Sequence, residues 1–177
     1  MNKLILSAVL ALSGLTSQAQ GVINGFNAFK PPGSSVNALV LDAHWINPLL
    51  PEVGRVEVLT ADGLTVLSPI KDGQGNKLIA PGVFSLGLMT IPGSTVGSSA
   101  SVMLRAWDNS TGTTFATALC RGTVHVTFPS VGSANAPSNF VLDSNFRGMI
   151  LLVPEPSTIA LASLGVLGVF FTVRRAN

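Results

Sequence analysis

The sequence predicts an all-β protein: a single β-sandwich-like domain, flanked by an N-terminal signal-peptide helix and a C-terminal transmembrane helix. Short β-rich runs recur between residues 20 and 152, separated by turn clusters such as Pro31-Pro32-Gly33, Asp62-Gly63, Asp72-Gly73, Pro92-Gly93 and Asn109-Ser110. Charged residues are 10% of the chain, too few to coat helix surfaces, while 18 glycines and 11 prolines supply turns. Two apolar runs, one near each terminus, stand apart from this pattern.

Met1-Asn2-Lys3 is a short basic start, and Leu4 to Leu15 is an apolar run too short to span a membrane comfortably. Ser17-Gln18-Ala19 places small residues three and one before a cut between Ala19 and Gln20. Residues 1–19 therefore read as a secretory signal peptide, with an uncleaved anchor as the rival. No Cys stands at the cut to carry a lipid. Strands are expected over Val36–Leu41, Val53–Leu59, Val83–Ile91, Ser101–Trp107 and Thr123–Phe128, with a last one over Arg147–Val153. Val102, Leu104 and Ala106 should face opposite to Met103, Arg105 and Trp107. Val124, Val126 and Phe128 should likewise oppose Thr123, His125 and Thr127. Residues 129–146 read as a loose loop, and one helical turn fits Thr114 to Leu119.

Within residues 21–153, seven basic residues balance seven acidic ones, so the net charge of +2 belongs to the termini. The basic balance reports targeting and implies no nucleic-acid partner. The single Cys120 excludes an internal disulfide framework and reads as a small buried hydrophobe. His44 and His125 have no Cys or carboxylate at ligand spacing and read as surface imidazoles. No Gly-x-Ser-x-Gly elbow is present, and Lys71 to Lys77 lacks the alternating acids of a calcium loop, leaving a hairpin turn. No catalytic residue, metal site or cofactor is assigned, and the protein is read as no enzyme.

Arg105, Trp107 and Asp108 are the one place where a planar cation, an indole and a carboxylate share a strand end. One account is a sugar-stacking platform, which makes a carbohydrate-binding module centred on Trp107 or Trp45 an alternative function. The favoured account is structural: Arg105 covers Trp107 as a cation–π pair and Asp108 opens the turn to Asn109.

The tail is the most informative stretch. From Ser157 to Val173 there is no charge, and as a helix these residues would reach about 26 Å, the short end of what crosses a hydrocarbon core. Arg174 and Arg175 at its end favour the cytoplasmic side, leaving the domain outside. The order Val153-Pro154-Glu155-Pro156, apolar span, Arg pair resembles the PEP-CTERM sorting signal of exported bacterial proteins. That resemblance implies recognition by an exosortase, a membrane transpeptidase-like protease, with cleavage near Pro154-Glu155-Pro156. More faintly, Ile91-Pro92-Gly93 followed by Val102 to Asp108 looks like a strand of uncharacterised sorting-signal proteins, implying a shared fold and no known activity.

The resulting organisation is signal peptide 1–19, exported domain 20–152, and sorting and anchor segment 153–177. The expected partners are export machinery and signal peptidase, the exosortase-like protease and membrane lipid, with polysaccharide as a further one. The expected function is a structural or adhesive role at the cell surface or in the exopolysaccharide matrix. A simple membrane-anchored envelope protein, never processed, is the rival.

Overall fold

The computed structural model describes residues 19–153, residue 45 excepted. The expected signal helix and transmembrane helix, Pro154, Glu155, Pro156, Arg174, Arg175 and Trp45 lie outside the described residues. Within them the protein is all-β and holds no helix long and apolar enough to cross a membrane. Nine strands run in chain order: β1 Gln20–Phe26, β2 Val40–Leu41, β3 Gly54–Thr60, β4 Asn76–Lys77, β5 Ser85–Thr95, β6 Ala100–Asp108, β7 Arg121–Phe128, β8 Ser138–Asn139 and β9 Met149–Ile150. They form a four-stranded sheet ordered β4-β3-β6-β7, a three-stranded sheet ordered β5-β1-β8, and the pair β2-β9.

The alternation expected of β6 and β7 is realised. Val102, Leu104 and Ala106 are fully buried on one face, and Val126 and Phe128 extend that face across β7 while Thr123, His125 and Thr127 stay exposed. Val56 and Val58 of β3 complete it. These side chains meet Ile23 of β1 and Leu86, Met89 and Ile91 of β5 in one hydrophobic cluster, so both large sheets draw on a single core. Each such burial contributes roughly 1.5–3 kcal/mol, which an isolated two-stranded ribbon could not gather.

Four departures from the sequence expectations stand out. First, β1 was not expected, because its glycines break the β-rich pattern. They are needed there: a Cβ on Gly25 would lie 2.5 Å from Met89 Cε and 2.9 Å from Leu86 Cβ. Second, β5 runs on past Pro92-Gly93 to Thr95, where a turn was expected. The register shifts between Gln20 and Gly21, so the proline sits in an irregularity that asks no ladder donor of it.

Third, the expected strands Val36–Leu41 and Arg147–Val153 contract to two parallel residue pairs, Val40↔Met149 and Leu41↔Ile150. Fourth, residues 129–146 are no loose loop. Val131, Phe140, Val141 and Phe146 are buried there, and Phe140 packs edge-on against Phe84, Phe128 and Phe146 with centroids 5.3–5.8 Å apart. Asn139 Oδ1 accepts from the N–H groups of Val141 and Leu142, folding the segment tightly enough to deliver those rings.

Asn27, wholly buried, ties the layers together. Its amide donates to the carbonyls of Ala38 and Gly82 at 2.8 and 3.0 Å, and its Oδ1 accepts from Phe84 N at 2.6 Å. Backbone groups of two separate segments, at Ala38 and at Gly82–Phe84, are thereby satisfied by one side chain.

Candidate functional site

The outer face of the four-stranded sheet carries Glu57 of β3, directly opposite Arg105 of β6, with Trp107 one step further along β6 and opposite both Arg55 and Arg121. Around Glu57 and Trp107 this face is enclosed, while Thr123, His125 and Thr127 leave it open along β7. Glu57 has no exposed surface and holds Arg105 through Nε–H to Oε2 at 2.7 Å, with the Nη2 group donating to the same oxygen. The Arg105 guanidinium lies 5.1 Å from the Phe115 ring centre, and Arg121 approaches that ring at 5.5 Å. Trp107 meets Phe115 edge-on at 6.0 Å and is wholly buried. The Asp72–Gly75 turn closes over the indole: a Cβ on Gly75, whose φ is +71°, would lie 2.3 Å from Trp107 Cη2.

The geometry revises both accounts of Arg105, Trp107 and Asp108. A sugar platform needs an open indole face, and Trp107 presents none. The cation–π partner of Arg105 is Phe115, not Trp107. Asp108 does open a turn, its Oδ1 accepting from Ser110 N at 2.8 Å and Ser110 Oγ at 2.6 Å. The arrangement is a buried ion pair roofed by aromatics. Glu57 Oε1 and Trp107 Nε1 are enclosed with no hydrogen-bond partner among the described residues, so this patch costs stability that the apolar face must offset. Glu57 and Phe115 were missed by sequence reasoning, since the Glu57–Arg105 contact spans 48 positions. The only local signal was a glutamate in the polar slot of an alternating run.

The remaining sequence-predicted residues are dispersed. His44 is exposed in the loop after β2, its Nδ1 3.8 Å from Asp42 Oδ2, and His125 is exposed on β7. Among the described residues no three His, Cys, Asp or Glu side chains converge as a metal site would require. Cys120 is half-buried; burial first, then the charge of Asp108, push its thiol above the ordinary 9.0, so it stays protonated at neutral pH.

At the two ends of the described chain the fold meets the segments that the sequence reads as targeting signals. Ala19 accepts a hydrogen bond from Val96 N at 3.2 Å, and β1 opens at Gln20, the residue expected to follow signal cleavage. At the other end Leu151 is buried, and Leu152 exchanges both backbone bonds with Arg121 at 2.9 and 3.0 Å. Val153, next to Pro154, is half exposed.

A strand-built body whose last bridge stands three residues before a proline-flanked glutamate, followed by an apolar run and an arginine pair, defines a class: exported proteins bearing a C-terminal sorting signal. Comparison with protein families agrees, for residues 152–175 match the PEP-CTERM protein-sorting motif. The chain thus carries a PEP-CTERM sorting motif at residues 152–175, a signal of the kind processed by exosortase. Neither the curated proteins nor the solved structures returned a match.

Proposed function

We propose that this chain is a non-enzymatic structural or adhesive protein of the cell surface or exopolysaccharide matrix. Residues 1–19 deliver it across the inner membrane and are removed by signal peptidase. Residues 20–152 form a β-sandwich-like module, its two larger sheets meeting over one core. Residues 153–177 hold it at the membrane, with 157–173 spanning the lipid, until an exosortase-like protease cuts near Pro154-Glu155-Pro156. The observation that carries this reading is the motif match beginning at Leu152, where the ordered domain closes. The enclosure of Trp107 supports a structural role for the body over the carbohydrate-binding one.

The test is intact mass and cell fractionation of the mature protein from its host, with and without Pro154, Glu155 and Pro156 replaced by alanine. A mature species ending near Pro154, lost in the variant, is expected. A species keeping residues 157–177 in the inner membrane in both cases would instead make the tail a permanent anchor.

A further inference from the structure

The structure points to a lipid-docking surface at the end of the domain from which residues 154–177 depart. This inference rests on the anchoring role given above to residues 157–173. The end in question is defined by pairing: Gly54↔Asp108, Trp107↔Arg121 and Arg121↔Leu152 bring the start of β3, the end of β6, the start of β7 and the chain's exit together. The loop after β2 joins them. Leu41 is the parallel partner of Ile150, so the chain beyond Leu41 continues in the same direction as the chain beyond Ile150. That loop is closed by Asp42 N to Asn47 O and by the Leu41↔Pro48 bridge.

Large apolar side chains are presented at this end. Ile46 is 79% exposed, Leu119 63%, Leu50 56%, Leu152 55% and Val153 52%. Isolated exposed aliphatics are ordinary, but several on one end of a domain mark an interaction site. The length of chain beyond the described residues identifies the occupant. Only Pro154, Glu155 and Pro156 separate Val153 from the apolar run at Ser157. Four extended steps cover at most about 14 Å. The headgroup layer of one leaflet accounts for about 5–8 Å of that. Even fully stretched, the tether leaves about 6–9 Å between this end and the headgroup layer, and any slack in it brings the two into contact.

Asp42, Glu52 and Asp108 at the same end are matched by Arg55, Lys77 and Arg121, so attraction to anionic lipid is not the driving force. The contact is apolar insertion into the headgroup and acyl boundary, and it should be insensitive to salt.

The test uses the full chain carrying Cys120→Ser, reconstituted in phosphatidylcholine vesicles. Single cysteines at Ile46→Cys, Leu119→Cys, Leu64→Cys and Gly165→Cys carry a fluorophore, quenched by nitroxides placed at headgroup or mid-chain depth. Leu64 is the control, exposed in the turn after β3 at the opposite end. The expected result is mid-chain quenching at 165, headgroup quenching at 46 and 119 about threefold above that at 64, and no change in high salt. If 165 is quenched while 46 and 119 match 64, the docking surface is refuted and the anchor stands. If 165 is not quenched, the anchoring reading falls and takes the docking surface with it.

Discussion

The inner face of the β4-β3-β6-β7 sheet and the Glu57–Trp107 patch of its outer face are both buried, yet they are built by opposite means. The inner face is aliphatic and aromatic, from Val56, Val58, Val102, Leu104, Ala106, Val126 and Phe128. The outer face buries Glu57 and Trp107 beneath a loop carrying Phe115 and a turn carrying Gly75. Inner contacts tolerate neighbours of approximate shape, because dispersion and hydrophobic transfer are non-directional. Outer contacts hold only while each charge keeps its partner. The same strands thus support one face whose failure is graded and one whose failure is abrupt.

The largest expected effect breaks this contrast open. Arg105→Met leaves Glu57 buried and unpaired and should cost about 3–5 kcal/mol, read by denaturant unfolding of the full chain. Adding Glu57→Leu should restore most of that loss, since an apolar pair of similar volume removes the stranded charge. Should the double variant be as unstable as Arg105→Met, the two faces would differ less than their chemistry implies.

Next comes the roof over Trp107. Gly75→Ala forces a Cβ into the indole at a φ of +71° and should cost about 1–3 kcal/mol, with a red shift of Trp107 emission read in a Trp45→Phe background. Gly73→Ala supplies the sharpening control. Its φ is +79° but nothing lies within 4 Å, so about 1 kcal/mol and no spectral change are expected. Equal effects from both would show that backbone strain, rather than the close approach to Trp107, is what the turn requires.

The smallest effect lies at the exposed rim of the same sheet. The Thr60 hydroxyl, then the Leu64 N–H, hold the Asp62 carboxyl below the ordinary 3.8. A depressed carboxylate pKa contributes stability that is present above the unfolded-state value and lost as pH falls through the folded one. The turn over residues 60–65 should therefore be unchanged from neutral pH to about pH 5 and loosen only below about pH 4, followed by NMR titration of Asp62. Asp62→Asn should abolish the transition; a midpoint above 3.8 in the parent chain would contradict the hydrogen-bonding account.

What was legible in the sequence follows the range of the forces involved. Alternation in Ser101–Trp107 and Thr123–Phe128 assigned faces correctly, because strand period is a local property of the backbone. It could not tell which polar face would be covered. Whether Trp107 is open to a ligand depends on Gly75 and Phe115, 32 residues before it and eight after, and neither announces the contact. The loop over residues 129–146 misled for the same reason. Its Ser, Asn and Gly content signals turns truthfully, yet those turns serve to place Phe140 and Phe146 in the core.

The sequence by itself determined the β class, the turn positions other than Pro92-Gly93, the charge-neutral body and the order of signals in the tail. All are carried by contiguous residues, where periodicity, composition and motif spacing suffice. Only the tertiary structure decided that Glu57 is sealed against Arg105, that Asn27 joins two other segments to its own, and that Leu152 is held by Arg121 at the threshold of the sorting motif. Each of these is a directional contact between residues far apart in the chain, and hydrogen-bond and ion-pair geometry exists only once the sheets have brought them together.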